Sequence, residues 1–236
     1  MKEKIYTVPV NDAFAADSEC PVCAMFEQLE NDAVEYTMGP SYMEDDIRAV
    51  TDKKGFCQKH IKKIYEQNNR LGYALVMKTH MDYVIKSIEA FSNDKGAGKS
   101  LLKKGKEAGV CGYIDELDNS CFVCDKIAAT IERYVDTIFY MYKHDRDFRN
   151  NLANCKGFCT NHYGLLMKKA SEKLGGNEYT EFTELITSLY IDNMKRVRDD
   201  VEWFINKFDH KYANEPWKNA KDSLIRATLK DNGCKL

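Results

Sequence analysis

The sequence predicts an all-α fold, an internally duplicated helical bundle in which two metal sites, each of three Cys and one His, join helix N-termini. Two observations predict it: apolar residues recur at the i, i+3/i+4 spacing of helices, and one set of Cys and His residues occurs twice. Strand signals are scarce, because no segment sustains an alternation of apolar and polar residues. The Asn-Gly pair at 232–233 lies too close to the end of the chain to join two strands.

Composition sets the broad class of protein. The chain has 236 residues, 44% hydrophobic and 31% charged, which suits one large or two small soluble globular domains. The net charge of −2 gives no general attraction to nucleic acid or to an anionic membrane. The first residues lack the apolar run of a signal peptide, and no segment reaches the ~18 apolar residues of a membrane helix. We therefore expect a cytoplasmic protein that binds no nucleic acid and no membrane.

Two landmarks repeat along the chain in register. "CPVC" at 20–23 returns as "CFVC" at 121–124, and "GFCQKH" at 55–60 returns as "GFCTNH" at 157–162. The offsets are 101 and 102 residues, so one single-residue slip separates the copies. The predicted organisation is an N-terminal helical repeat with the first metal site (1–95), a linker (96–118), a C-terminal helical repeat with the second metal site (119–212), and a C-terminal helix packing on the body (213–236).

Each repeat is expected to contain a long helix, a shorter returning helix, and one or two helices after the second Cys motif. In the first repeat, "GP" at 39–40 breaks the long helix. The segment "SYME" at 41–44 has the pattern of a capping box for a short helix that ends at Gly55. The second repeat has "YM" at 140–141, which does not break a helix, so its hairpin is less well defined.

The segment between the repeats has the composition of a linker. It is rich in Gly, Lys and Ser and predicts at most a short helical turn. Its "GAGKS" at 96–100 resembles the end of a phosphate-binding loop, but that pattern needs a glycine where Asn93 stands and a preceding strand. We therefore expect no nucleotide binding there. Beyond the second repeat, Pro216 and Gly233 predict the start and the end of a last helix.

Each repeat carries four residues with the chemistry of metal ligands, in two pairs spaced by one helical turn. The eight candidates are Cys20, Cys23, Cys57 and His60 in the first repeat, and Cys121, Cys124, Cys159 and His162 in the second. Two donors three residues apart on a helix point the same way, so each pair can chelate one ion. Three thiolates and one imidazole are typical of structural zinc, and we expect two zinc ions per chain.

Helix-terminating residues place these pairs at helix N-termini. Pro21 favours a first helical turn, while Gly55 and Gly157 end the helices that precede the second pair of each repeat. A helix N-terminus lowers the pKa of a thiol and favours negative charge. Three thiolates, a neutral imidazole and a zinc dication carry about −1 in total, which such helix ends help to hold.

The spacing does not decide which pairs share an ion. The segment 55–60 is interpreted as the second pair for Cys20 and Cys23, which would keep each site within one repeat, although an exchange of pairs between repeats stays open. Iron, an iron–sulfur cluster and reversible disulfides within the CxxC pairs are alternatives to zinc, as are buried cysteines without a metal. The single His in each set argues against a cluster, which more commonly has four cysteines.

Six further Cys and His residues lie outside this pattern: Cys111, Cys155, Cys234, His80, His144 and His210. Cys155 stands four residues before Cys159, so it is either a buried thiol or a spare ligand. The three histidines lie on helical stretches without partners at ligand spacing, and we expect them on ordinary helix faces.

The repeated segments resemble those of an uncharacterised bacterial family of helical proteins, a domain of unknown function in which CPxC is followed by GFCxxH. "CPVC" and "GFCQKH" carry the resemblance together with their second copies. The second copy departs at Phe122, where the proline is missing, although its ligands are intact. The resemblance implies a bacterial, soluble, all-α protein, and it implies no activity.

Together these patterns favour a zinc-binding protein in which the metal is structural and the function is protein interaction or scaffolding. A thiol redox sensor or oxidoreductase that uses the CxxC pairs is the alternative. A metal-dependent hydrolase follows it, because no HExxH or similar motif is present. No catalytic residue is predicted, and the sequence leaves a protein partner and a homo-oligomer open.

Overall fold

The structure is a computed structural model that describes residues 4–93 and 102–235. In these two stretches helices are joined by turns and short irregular segments, without a strand. The α-helices are α1 Lys4–Ala15, α2 Pro21–Met38, α3 Asp45–Lys54, α4 Gln58–Glu66, α5 Arg70–Asn93, α6 Leu102–Asp118, α7 Phe122–His144, α8 Arg146–Asn154, α9 Thr160–Lys173, α10 Gly176–Asn206 and α11 Ser223–Asn232. The predicted all-α class is therefore confirmed.

The duplication is visible in the succession of helices. A long helix, a short helix and then two further helices follow one another as α2 to α5 and again as α7 to α10. The long helix of the first copy ends at Met38, before Gly39-Pro40, as the sequence predicts. In the second copy α7 runs on to His144. Asp145 then caps α8 by accepting bonds from the backbone N–H groups of Asp147 and Phe148.

Three local predictions are corrected. Ser41 is not a helix cap, because its hydroxyl donates to the carbonyl of Tyr36 within a 3-10 turn, and α3 begins after Glu44 without a side-chain cap. Residues 102–118 form helix α6 where the composition suggests a linker; "GAGKS" at 96–100 lies outside the described residues. The last helix begins at Ser223 rather than near Pro216, and it ends at Gly233 as predicted.

The chain divides into two compact units that do not follow the sequence repeats. One unit consists of Met1–Glu27 together with Ile131–Leu236, and the other of Gln28–Thr130. The boundaries fall within α2 and α7. Each unit therefore takes residues from both copies of the repeat.

The core of the 28–130 unit surrounds the start of α7. Its buried members are Ala33, Val34, Met38, Ile64, Val76, Cys121, Phe122, Val123 and Ile127. Phe56 packs edge-on against Phe122, with ring centroids 6.4 Å apart. The motif phenylalanine thus anchors the turn before α4, and Ile64, one helical turn after His60, is fully buried beneath it.

The core of the other unit is dominated by aromatic rings. Phe14 of α1 packs edge-on against Phe148 at 5.0 Å and against Phe158 at 6.3 Å. Phe158 is the phenylalanine of "GFCTNH" and is completely buried, as is Leu166 four residues after His162. Both copies of the motif therefore use the same two apolar positions to fix the turn that carries the ligands.

Across 4–93 and 102–235, helices that combine the length and the apolar character of a membrane span do not occur.

Candidate metal centre

The eight candidate ligands come together as two compact groups of four. Cluster A consists of Cys20, Cys23, Cys159 and His162, and cluster B consists of Cys57, His60, Cys121 and Cys124. In each cluster the four donor atoms lie within 4.8 Å of one another. Each cluster takes its CxxC pair from one copy of the repeat and its CxxH pair from the other. The interpretation that pairs 55–60 with Cys20 and Cys23 is therefore wrong, and the exchanged arrangement is the correct one.

Every pair begins at a helix N-terminus. Cys57 and Cys159 are the N-cap residues of α4 and α9, with closely similar backbone angles (φ −67°, ψ 163° and φ −73°, ψ 163°). Cys20 and Cys121 directly precede α2 and α7, and their carbonyls accept the first helical bonds, from Ala24 and Asp125. The donor three residues later lies on the first helical turn. Eight donors are thus oriented by four helix starts, and the positive ends of these helices face the thiols.

A glycine makes the turn before each CxxH pair. Gly55 and Gly157 have φ values of 59° and 75°, in the region that favours glycine. A Cβ at Gly157 would lie 2.8 Å from the backbone carbonyl oxygen of Leu189, and one at Gly55 would lie 2.7 Å from the ring of His80. His80 is held there by a 2.8 Å bond between its Nδ1 and the carbonyl of Asp52. Backbone conformation and close packing both require glycine at these positions.

The distances between donor atoms fit a tetrahedron around a single ion. In cluster A the Sγ atoms of Cys23 and Cys159 are 3.6 Å apart, and in cluster B those of Cys57 and Cys124 are 3.9 Å apart. Metal–sulfur bonds of ~2.3 Å at tetrahedral angles place two sulfur atoms roughly 3.8 Å apart. These contacts are far longer than the ~2.05 Å of a disulfide bond.

The imidazole nitrogens complete the same geometry. Nδ1 of His162 lies 3.5 Å from Sγ of Cys20 and 3.2 Å from Sγ of both Cys23 and Cys159. Nδ1 of His60 lies 3.3 Å from each of the three sulfur atoms of cluster B. One sulfur and one nitrogen ligand of a tetrahedral zinc ion are separated by roughly 3.5 Å. Both histidines thus present Nδ1 to the cluster.

A buried lysine holds the two ligand-bearing segments of cluster A together. Lys230 of α11 is 1% exposed, and its ammonium donates to the carbonyl of Glu19 at 2.5 Å and to that of Lys156. These carbonyls come one and three residues before Cys20 and Cys159. The Glu19 carboxylate, also buried, lies 3.4 Å from the same ammonium and pairs with Arg196. Burial lowers the pKa of Lys230, and Glu19 opposes this effect.

In cluster B the two segments that precede Cys57 and Cys121 contact each other directly. Ser120, which corresponds to Glu19 in the repeat, donates its hydroxyl to the carbonyl of Lys54 at 2.6 Å. The backbone N–H of Phe122 donates to the carbonyl of Gly55 at 3.1 Å. The Lys54 ammonium forms an ion pair with Asp125 on the first turn of α7. The start of α7 is therefore fastened to the turn that carries Cys57.

A carboxylate orients the histidine of cluster B. Nε2 of His60 lies 2.9 Å from Oε1 of Glu30, a buried residue of α2. Lys59 and Lys63 reach the same carboxylate at 2.6 and 2.5 Å. Burial would raise the pKa of Glu30, but the bonds from Lys59, Lys63 and His60 outweigh it and lower the pKa to about 2. Glu30 is thus an anion that accepts the Nε2–H proton and leaves Nδ1 free as a ligand.

The histidine of cluster A has different surroundings. Its ring stacks on Phe26 of α2, with centroids 5.9 Å apart and an interplanar angle of 29°. At the position 101 residues after Glu30 the second copy has Ile131, which is buried. The duplication therefore preserved the eight donors while the groups behind the two imidazoles diverged.

Comparison with known proteins now adds one finding. The sequence matches the profile of a family of unknown function, DUF6062, over residues 1–235. The chain belongs to this family. Neither a curated protein nor a solved structure has detectable similarity to it. The family carries no activity with it, so the function of this DUF6062 chain has to be argued from the two Cys/His clusters, each of which could hold a metal ion.

Crowding shifts the pKa values of the thiols in cluster A of the DUF6062 chain. Bonds from Cys20 and Cys23 lower the pKa of Cys159. The pKa of Cys23 is raised by the contacts of Cys23 with Cys159 and Cys20. Burial opposes protonation of His162, but the neighbouring thiolates raise its pKa to about 9. The sulfur atoms are too close for all of them to carry a negative charge without a cation among them.

Cluster B shows the same division between its thiols. Burial raises the pKa of Cys124 to about 12, together with its contacts to Cys121 and Cys57. Burial also opposes ionisation of Cys57, but the backbone N–H of His60 and the neighbouring thiols lower its pKa. The pKa of His60 is lowered by burial despite the Glu30 carboxylate. A neutral imidazole is the form that binds a metal ion.

The remaining Cys and His residues of the DUF6062 chain stay outside both clusters. Cys155 is half-buried; burial raises its pKa to about 11. Cys111 and Cys234 are exposed. Glu30 and Lys230 are the supporting residues that the sequence pattern did not reveal. Neither lies in a recognisable motif. What distinguishes them is that each is a charged residue buried beside a Cys/His cluster.

Proposed function

We propose that this protein binds two zinc ions, one in cluster A and one in cluster B, and that both ions stabilise the helical fold. The observation that carries the proposal is the geometry of the donors: three thiols and one imidazole nitrogen at tetrahedral distances, twice. A set of three cysteines and one histidine is typical of structural zinc. Each ion would join two helix N-termini from different copies of the repeat.

The compactness of the clusters favours a single ion over an iron–sulfur cluster. All four donors of each group lie within 4.8 Å of one another. An iron–sulfur cluster has its irons and sulfides between the protein ligands and holds those ligands farther apart. A single iron ion would fit the same space as zinc, but the complete set of three thiolates and one imidazole is typical of structural zinc.

A structural role follows from the number of protein ligands. Four donors fill a tetrahedral zinc ion, whereas catalytic zinc keeps a position for water or substrate. Hydrolysis is therefore the weaker alternative. Redox cycling within the CxxC pairs is also weaker, since in both clusters the two CxxC sulfur atoms share their site with a third thiol and an imidazole, a complete set of zinc ligands. The stabilised helices would serve in the cytoplasm as a scaffold or interaction surface for a protein partner or a second copy of the chain.

Metal analysis of the purified full-length protein tests the proposal. We expect two zinc ions per chain by inductively coupled plasma mass spectrometry, with iron below stoichiometry. Removing the zinc with a chelator should then lower the melting temperature strongly, since structural zinc contributes about 10 kcal/mol or more to folding. A metal-free protein that melts at the same temperature as the loaded one would contradict a structural role.

A further inference from the structure

The C-terminal segment covers cluster A. A Cβ placed on Gly233 would lie 3.4 Å from Sγ of Cys159 and 3.7 Å from Sγ of Cys23, so the backbone just after α11 runs directly over these sulfur atoms. Asn161 fastens this segment by donating to the carbonyl of Asn232 at 3.0 Å. Thr160 donates to the carbonyl of Lys230 at 3.2 Å. Beneath this cover Cys20 and Cys159 are 1% and 0% exposed, Cys23 and His162 are half-buried, and none of the four donors is exposed.

Cluster B reaches the surface at one of its ligands. Cys124 is exposed and Cys57 is half-buried, whereas Cys121 and His60 are each only 3% exposed. The first turn of α7 carries Cys124 outward, beside the exposed ion pair of Lys54 and Asp125. One donor of cluster B is therefore accessible to an incoming molecule while the other three stay anchored.

Two lysines and one carboxylate hold the anchored side of cluster B. Lys59 and Lys63, both on α4 close to His60, pair with Glu30 at 2.6 and 2.5 Å. Glu30 in turn lies 2.9 Å from Nε2 of His60. These contacts fix the imidazole of His60, whereas Cys124 is exposed.

We propose that the zinc ion of cluster B is exchangeable and passes to acceptors that bear thiolate groups, whereas the C-terminal segment retains the ion of cluster A. The inference rests on the proposed zinc binding. In the first step of the exchange an acceptor thiolate forms a bond to zinc as the bond to Cys124 breaks. Further acceptor donors then replace Cys57, Cys121 and His60 in the same way, and the released thiolates take protons from water. No electrons are transferred, so the step requires neither an oxidant nor a reductant.

Zinc release from the fully loaded full-length chain to a chromogenic chelator, 4-(2-pyridylazo)resorcinol, tests the proposal. We expect two kinetic phases of one zinc each, with the fast phase at least about tenfold faster than the slow phase. The variant Cys23→Ser/Cys159→Ser should retain the fast phase alone, and Cys57→Ser/Cys124→Ser should retain the slow phase alone. Equal rates for both ions, or the fast phase in the second variant, would overturn the proposal.

Thiol labelling of the unaltered protein covers the case in which a double variant does not fold. With N-ethylmaleimide present during release, Cys124 and Cys57 should be alkylated with the rate of the fast phase, and Cys23 and Cys159 with that of the slow phase. The reverse order would contradict the proposal. A chain that does not reach two zinc ions even after loading with a zinc salt refutes the proposed function instead, so the two failures are distinct.

The cover over cluster A can be removed separately. A chain that ends at Asn232 lacks the backbone that passes over Cys159 and Cys23. We expect its slow phase to accelerate toward the rate of the fast phase, while the fast phase stays unchanged. An unchanged slow phase in this truncated chain would show that the C-terminal segment does not close cluster A.

Discussion

Glu30 and Ile131 stand at matching positions in the two copies of the repeat, so only the first copy has a carboxylate at this position. Glu30 accepts a bond from Nε2 of His60, whereas the His162 ring stacks on Phe26. A carboxylate behind a ligating imidazole fixes the tautomer and increases the basicity of the ligand. At the scale of single residues, the two clusters therefore share their donors and differ in what orients them.

The first prediction concerns Glu30→Gln. The amide still accepts the His60 Nε2–H bond but lacks the negative charge, so the zinc affinity of cluster B should fall by about tenfold, the low end of the range for such supporting residues. Cluster A should keep its affinity. Competition with a chelator of known affinity measures both sites. Glu35→Gln, on the exposed face of α2, is the matched control and should change neither affinity.

The second prediction concerns Gly157→Ala. Its positive φ alone costs an alanine about 1–2 kcal/mol, and the new Cβ would meet the carbonyl oxygen of Leu189. The free energy of unfolding should therefore fall by about 2 kcal/mol or more in chemical denaturation. Gly164→Ala is the control, since nothing lies within 4 Å of its Cβ position in α9. That change should be neutral or stabilise by up to about 1 kcal/mol.

At the scale of elements, helix α11 joins the two segments that carry the donors of cluster A, as Ser120 joins those of cluster B. A last helix that is distant in sequence bridges the segments before Cys20 and Cys159 through one ammonium group. In cluster B the corresponding segments bond to each other directly, through the Ser120 hydroxyl and the Lys54 carbonyl. The position of α11 is thus part of the architecture of cluster A.

The third prediction concerns Lys230→Met. The change leaves two buried carbonyls without their donor and removes one cation from the buried Glu19 carboxylate. We expect a loss of about 3 kcal/mol in the free energy of unfolding, because Glu19 retains Arg196. Lys235→Met, which removes a surface ion pair with Glu27, is the control and should cost less than about 1 kcal/mol. A similar loss in both variants would contradict the bridging role of Lys230.

At the scale of the whole molecule, each compact unit contains all four ligands of one cluster. Cluster A lies in the unit formed by Met1–Glu27 and Ile131–Leu236, and cluster B lies in the unit formed by Gln28–Thr130. Because the pairs are exchanged between repeats, each unit contains a full set of four candidate ligands, although each unit is built from both copies.

The fourth prediction uses two matched double variants. Cys23→Ser/Cys159→Ser removes two ligands of the same cluster, so the protein should retain one zinc ion per chain. Cys23→Ser/Cys57→Ser removes one ligand from each cluster and should lose most of both ions. Both variants remove two cysteines, so the total number of thiols is the same. If the ligands paired within repeats, the two zinc contents would be reversed.

The sequence identifies the members of the two Cys/His clusters because their signal is local. Residue type, the spacing of one helical turn and the glycine before each CxxH pair together identified all eight members of the two groups. The pairing of Cys20 and Cys23 with Cys159 and His162 could not be predicted from the sequence. It depends on contacts between residues 136 and 142 positions apart along the chain, which the local spacing of motifs does not encode. Glu30 and Lys230 could not be predicted either, because their roles come from burial and from contacts with residues distant along the chain.

Two helices were hidden by composition rather than by distance. Helix α6 is formed by a Gly- and Lys-rich segment with the composition of a linker. Helix α1 contains Pro9, yet Val10 and Phe14 are buried and hold it against the core. Tertiary packing outweighs weak helix propensity in α1, and the pattern of residues alone does not reveal that packing.

The exchanged pairing also imposes an order on biosynthesis. The ligands of cluster B that lie farthest apart along the chain, Cys57 and Cys124, are separated by 67 positions, whereas Cys20 and His162 of cluster A are separated by 142. Translation proceeds from the N-terminus, so all four donors of cluster B are synthesised before Cys159. The Cys20–Cys23 pair therefore has to wait until Cys159 and His162 are made, and the segment at Gly233 that covers the sulfur atoms of Cys23 and Cys159 follows later still.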